Sequence, residues 1–183
     1  MRCIKYHCSE LQREIDGFYN SREIFYDVSQ QLISFGGYDI QRAARYFIKM
    51  RLSFGADGRS FGCSKKPLYR SKDYLSVISD RLKNVLIENK DFEDLIKVYD
   101  RPSSFFYLDP PYHTTEKYYD IEFTEDDHKR LASQLSQIQG KFLLSYNDDM
   151  FIRDLYKDYT IISLSRNNNI SSGSFKELLI RNY

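Results

Sequence analysis

The sequence predicts an α/β protein: a parallel or mostly parallel sheet with helices on its faces, preceded by a helical region and closed by an antiparallel hairpin. Three observations carry this. From Ser71 onward, strand-like apolar runs alternate with helical patterns, as β-α-β connections require. Before Ser71, apolar residues recur at helical spacing with few β-branched runs. The last two strand-like runs are joined by "SRNNNISSGSFK", which leaves no room for a helix, so they pair antiparallel. The chain is thus expected to divide into a helical region, 1–70, and an α/β region, 71–183.

In chain order, Leu11, Ile15, Phe18 and Tyr19 lie on one helical face, and Phe25, Val28 and Leu32 continue the pattern. "FGGYD" breaks it before "IQRAARYFIKM". In "RLSFGADGRSFGCSKKP", three glycines and a proline exclude a long helix and suit an exposed hairpin or loop. Ser71 is placed to cap a helix carrying Leu75, Ile78 and Leu82, and "NVLIE" reads as a short buried strand. "SFFYL" is the next strand. Thr124 with Asp127 three residues on resembles a capping box, opening a helix that Gly140 closes, with Leu131, Leu135 and Ile138 on its apolar face. "KFLLSY" is a third strand, Asp148 or Asp149 caps a short helix through Leu155, and "YTIISL" and "ELLIRNY" form the hairpin.

The 183 residues, 42% hydrophobic and 29% charged, suit an ordinary folded domain and exclude wholesale disorder. No run of 18 apolar residues occurs, and "MRCIKYHCSELQREIDGFYN" lacks the apolar core of a signal peptide. The sequence therefore points to a cytoplasmic protein that spans no membrane. Three cysteines without a CxxC pair argue against a disulfide framework. Cys3, His7 and Cys8 lack a fourth ligand, so no metal is expected.

A net charge of +1 hides an asymmetry. From Arg42 to Lys72 there are nine basic residues and one acid, a net +8, leaving −7 elsewhere. One region is thus suited to a polyanion, though a solvated basic face with no partner has the same composition.

The sharpest motif is "DPPY", Asp109 to Tyr112, directly after the strand Phe105–Leu108. Ligands of open α/β sheets bind beyond the carboxyl ends of strands. Pro110 and Pro111 fix φ and remove two N–H donors, so the Asp109 carboxylate and the Pro110 carbonyl are acceptors with no competing amide beside them. Tyr112 adds a flat aromatic face. Acceptors beside a stacking platform suit a planar ring bearing an NH2 group. Gripping its two hydrogens aims the nitrogen lone pair at an electrophile. Taken alone, the bare tetrapeptide reads more readily as a turn with a capping acid.

Together with "DPPYHTTEKYY", "LSYND", the terminal "ELLIRNY" and the basic "RLSFGADGRSFG", the motif resembles the Dam-type (D12 class) DNA adenine N6-methyltransferases, in their phage-borne branch. The resemblance runs from about Tyr19 to Tyr183. It implies S-adenosylmethionine (AdoMet) as methyl donor and double-stranded DNA as substrate, with the adenine flipped out. The catalytic set would be Asp109, Pro110, Pro111 and Tyr112, with Tyr112 stacked on the base. "ENKDF" resembles the segment that meets the cofactor's adenine, which implies Asp91 and Phe92, with Asp109, as cofactor-binding residues. Read without the family, Asp91 is a capping acid and Phe92 a core residue. Arg51, Arg59, Lys65 and Lys66, with Thr115 and Lys117 after the motif, are the DNA-binding candidates, mainly toward phosphates. Ser145 and Asn147 end a neighbouring strand and are placed to line the cleft, though a cap for the following helix explains Asn147 equally well. By the same resemblance, residues 1–70 are a target-recognition region and 71–183 the C-terminal part of the catalytic domain.

The family pattern also includes a strand and a Phe-x-Gly-x-Gly turn for the methionine part of AdoMet, ahead of the DNA-binding helices. None of the eight glycines follows a strand with that spacing; "SFGGYD" and "SFGADG" come nearest. The expectation is therefore a Rossmann-like methyltransferase sheet lacking its central N-terminal strands. A complementary N-terminal chain would complete it. The alternatives are an inactive DNA-binding remnant, and N4 methylation of cytosine at the same motif.

Overall fold

The computed structural model describes residues 1–34, 39–62, 68–114, 123–167 and 174–183. Contacts divide the chain into two compact units, Met1–Ile87 and Glu88–Tyr183. The expected boundary at 70/71 falls inside a helix, and the division comes after Ile87.

The first unit holds α1 (Arg2–Tyr6), α2 (Cys8–Asp16), α3 (Arg22–Ser34), α4 (Asp39–Leu52) and α5 (Leu68–Leu82). Of the residues expected on helical faces, Leu11 and Ile15 of α2, Phe25 and Val28 of α3 and Leu75 of α5 are buried in its core, joined by Ala44, Ile48 and Leu52 of α4. Each large side chain among them contributes about 1.5–3 kcal/mol by leaving water. Tyr19, by contrast, lies beyond α2 and is exposed. α5 starts at Leu68 rather than after a cap at Ser71. Leu68 packs against the core, and Gln12 of α2 donates to the Lys72 carbonyl at 3.0 Å and to the Ser76 hydroxyl at 3.1 Å. Tertiary burial here outweighs the capping preference of one serine.

Between α4 and α5 the basic segment makes a tight loop. Ser53 and Phe61 form an antiparallel bridge, the Phe54 amide donates to Ser60 at 2.8 Å and the Gly62 amide to Leu52 at 2.6 Å. A Cβ on Gly62 would lie 2.8 Å from the Phe54 nitrogen, so this closure requires glycine.

"NVLIE" is not a strand: residues 85–88 form no regular secondary structure, and Leu86 is 72% exposed. An apolar β-branched run becomes a strand only against a neighbour, and among the described residues none takes this one. The Val85 carbonyl accepts from Lys5 Nζ at 2.7 Å instead.

The second unit runs α6 (Phe92–Tyr99), β1 (Phe105–Leu108), α7 (Glu125–Leu135), β2 (Lys141–Asn147), α8 (Met150–Leu155), β3 (Thr160–Asn167) and β4 (Ser174–Arg181). The sheet order is β1-β2-β4-β3. β1 and β2 are parallel, with Leu108 beside Leu144. β2 with β4, and β4 with β3, are antiparallel. The expectation of a mostly parallel sheet is corrected on this point. The terminal hairpin is antiparallel as predicted, but its second strand lies between β2 and β3, so one parallel pair stands beside two antiparallel ones.

Alternation along the strands builds the core. Phe106, Leu108, Phe142, Leu144, Tyr146, Leu178 and Ile180 meet Ile96 of α6, Leu131 and Leu135 of α7, and Ile152 of α8. On the opposite face of β1, Phe105 and Tyr107 are 55% and 61% exposed. Thr124 and Asp127 form the expected capping box at α7, and of the two candidate caps for α8 it is Asp149 that accepts from Phe151 and Ile152. α7 ends at Leu135 with Ser136 as its C-cap, so Ile138 and Gly140 lie beyond the helix they were expected to belong to and close. Gly140 instead lets the turn into β2 pass close to β1's entry, where its Cβ would sit 2.8 Å from the Ser104 carbonyl. Among the described residues no helix is long and apolar enough to cross a membrane, and no group of His, Cys, Asp and Glu is arranged to hold a metal ion.

Candidate active site

The chain leaves the carboxyl end of β1 directly into Asp109, which is exposed, and then into half-buried Pro110, Pro111 and Tyr112. Tyr112 turns toward β2 and β4. Its hydroxyl lies 2.7 Å from Ser145 Oγ and donates to Glu177 Oε1 at 2.9 Å, while Ser145 Oγ donates to the same carboxylate oxygen at 2.8 Å. Burial, reinforced by the Glu177 and Asp109 charges and opposed by the Ser145 hydroxyl, holds the Tyr112 phenol well above its ordinary pKa. The ring is therefore neutral across the physiological range.

The backbone after the motif is tied to β2. Asn147, predicted to line the cleft or to cap a helix, donates from Nδ2 to the His113 carbonyl at 3.0 Å. His113 packs on Phe151 with centroids 4.7 Å apart. Its Nδ1 is 3.0 Å from Asp149 Oδ1 but out of line for a hydrogen bond. The buried His128 ring meets it edge-on at 5.6 Å, and His128 Nδ1 is 2.7 Å from the Tyr146 hydroxyl. Thr114 follows with φ 69°, a conformation costing a β-branched residue of order 1–3 kcal/mol and typical of residues beside functional sites.

Asp91 is the N-cap of α6: Oδ1 accepts from the Glu93 amide at 2.9 Å, and Oδ2 pairs with Arg130 of α7 at 2.7 Å. Arg130 also covers the Phe92 ring, 4.6 Å from its centroid. Phe92 is half-buried and packs on the core. The capping reading of Asp91 is thus realised. Its carboxylate, still partly exposed, keeps acceptor capacity beside an aromatic face, which suits the adenine end of AdoMet. The methionine end lacks its expected cradle: among the described glycines, 17, 55, 58, 62 and 140, none joins a strand to a helix.

In the helical unit, Arg51 lines a groove of about 480 Å³ with Arg70, Tyr74, Phe47 and Ile78. Arg59 is exposed on the tight loop, its amide donating to Asp57 at 2.8 Å. Lys65, Lys66, Thr115 and Lys117 lie outside the described residues. Sequence reasoning missed Glu177 and Arg130, because their partners are 65 and 39 positions away. The only local signal for Glu177 is an acid opening the apolar run "ELLI".

A short parallel strand delivering an acid, two prolines and a fixed aromatic ring, beside a sheet closed by an antiparallel hairpin, is an arrangement consistent with a methyltransferase fold. The family model for D12 class N6 adenine-specific DNA methyltransferases matches residues 4–170, and the chain belongs to that family. It is 34% identical over 140 residues to the Type II methyltransferase M.MjaIII of Methanocaldococcus jannaschii, covering 67% of this chain and 48% of the relative. It is 29% identical over 96 residues to the Type II methyltransferase M.CviBI of Paramecium bursaria Chlorella virus NC1A, covering 50% of this chain and 37% of the relative. The chain therefore spans less than half the length of either relative it matches.

Proposed function

We propose that this chain is the motif-bearing part of a site-specific DNA methyltransferase that moves the methyl group of AdoMet to the N6 amino group of a flipped adenine. The observation that carries the reading is the Asp109 to Tyr112 segment at the carboxyl tip of a parallel strand, with Tyr112 anchored and Asp109 open to solvent. Asp109 and the Pro110 carbonyl accept the two amino hydrogens of the base, and Pro111 denies the site a competing donor. Tyr112 stacks on the extruded ring. AdoMet, when bound, supplies the electrophilic methyl group; Asp91 accepts from the adenine of the cofactor, Phe92 packs on it, and Asp109 borders the same pocket. Arg51 and Arg59, together with Lys65, Lys66, Thr115 and Lys117, contact the phosphates of double-stranded DNA.

In this reading residues 1–70 recognise the target and 71–183 belong to the catalytic domain, which works in the cytoplasm. Among the described residues, β1 at a sheet edge, the Val85–Ile87 run outside any ladder and the lack of a glycine cradle all favour a Rossmann-like sheet completed by further polypeptide, such as a complementary N-terminal chain. The same observations favour a second reading, an inactive DNA-binding remnant.

The test is transfer of labelled methyl groups from AdoMet to unmethylated DNA, by this chain alone and with an N-terminal methyltransferase segment supplied. Transfer that falls about 10²- to 10³-fold in Asp109→Ala is the expected result, with N6-methyladenine in the digest. N4-methylcytosine would redirect the reading to the other base. No transfer under either condition, with DNA binding retained, would leave the remnant.

A further inference from the structure

We propose that Glu177 and Ser145 are positioning residues for the base-stacking face of Tyr112, fixing the ring's orientation beside Asp109 and Pro110. This rests on the stacking role given to Tyr112 above.

Three oxygens form a closed triangle: Tyr112 Oη to Ser145 Oγ 2.7 Å, Tyr112 Oη to Glu177 Oε1 2.9 Å, and Ser145 Oγ to Glu177 Oε1 2.8 Å. Two hydroxyl protons serve three contacts, so the carboxylate receives at least one of them in every arrangement. Glu177 is 9% exposed and Ser145 1%. A carboxylate buried on a strand costs more than an apolar residue unless its bonds compensate. What the carboxylate provides that an apolar residue does not is a strong, fixed acceptor at one point.

That point is the far end of the Tyr112 side chain. The near end is fixed as well, because Asn147, directly across the ladder from Glu177, holds the carbonyl of the next residue at 3.0 Å. A tyrosine held at its hydroxyl and at the following peptide has both ends of its ring axis fixed, leaving only rotation about that axis. A ring that must stack on a flipped base needs this, because misplacement of about 1 Å costs up to about 10²-fold in rate.

The test follows the ring itself and does not depend on turnover. Protein labelled with carbon-13 at the tyrosine phenol carbon is titrated by NMR, with the Tyr112 signal assigned by its loss in Tyr112→Phe. In the wild type, Tyr112 stays protonated while exposed tyrosines ionise near about pH 10. In Glu177→Ala, losing an acceptor and a negative charge, it ionises at lower pH, and its line shape reports a mobile ring. Glu177→Gln, which keeps an acceptor oxygen, restores part of the order, and Ser145→Ala gives a smaller change if Glu177→Ala does not fold.

Where transfer is measurable, Glu177→Ala lowers kcat about tenfold or more with KM for DNA unchanged. The loss disappears when the substitution is added to Tyr112→Phe. A Tyr112 signal indifferent to Glu177→Ala and Ser145→Ala in folded protein overturns the proposal. So does an equal loss of kcat in the presence and absence of the Tyr112 hydroxyl. A responsive signal without any transfer leaves the positioning role standing and counts against the catalytic reading alone.

Discussion

The two units place their polar side chains in opposite ways. In the helical unit the notable charges, Arg51 and Arg59, are exposed, and the core beneath is purely apolar apart from Cys3 and Ser53. In the sheet unit, polar groups are drawn inward: Ser145, His128 and Glu177 are buried and bonded to tyrosines. The difference teaches what each task demands. A face that meets a phosphate backbone needs charge at roughly the right place, which long flexible side chains give. A site that grips one amino group needs fixed angles, and only short side chains locked against one another supply them.

Substitutions can break this comparison or sharpen it, and the largest effect is expected in the sheet unit. Asn caps a helix as well as Asp does, so Asp91→Asn leaves α6 intact while removing a charged acceptor. AdoMet affinity, measured by calorimetry, is expected to fall about ten- to hundredfold, with the thermal midpoint nearly unchanged. Equal losses of affinity and stability would reduce Asp91 to its cap and its Arg130 pair.

In the helical unit the expected effect is smaller and depends on salt. Arg51→Ala and Arg59→Ala should each lower the slope of log affinity against log salt by about 1, across unrelated DNA sequences. A loss confined to one sequence would move Arg59 from phosphate contact to base reading and blur the contrast between the units.

The smallest effect is at the start of α7. The Thr124 backbone amide and hydroxyl donate to Asp127 and hold its carboxyl below the usual range, and Arg130 adds to this. A depressed folded pKa stabilises above the unfolded value of about 3.9, and that contribution is lost as pH falls through the folded value. Asp127→Ala should therefore cost about 1 kcal/mol near neutral pH and progressively less below about pH 4. A penalty constant with pH in denaturant melts would show that packing, not charge, is what Asp127 supplies.

Much of this was legible in the chain because it is written locally. Aromatic and β-branched runs marked β1 to β4, helical spacing marked buried residues of α2, α3 and α5, and Thr124 with Asp127 marked a helix start three residues apart. What failed depends on partners. "NVLIE" has the composition of a strand and no neighbour, and Ser71 is a good cap overruled by the packing of Leu68. The sheet order could not be read either, because nothing in "ELLIRNY" says that it lies beside β2 as well as β3. The same holds at the site: Asp109 to Tyr112 announced itself, whereas the acid that anchors Tyr112 lies 65 positions away and looks like any strand-opening glutamate.

β1 is four residues long and, among the described residues, bonded on one side only. An edge strand of that length offers few ladder bonds to resist fraying, and its outward amides exchange with solvent. The tip that presents Asp109 is therefore moored less by the ladder than by its side lines, Tyr112 to β4 and His113 to Asn147. In hydrogen exchange the backbone of β1 should open sooner than that of β2. The residues just past its end should then keep their place for as long as those two lines hold.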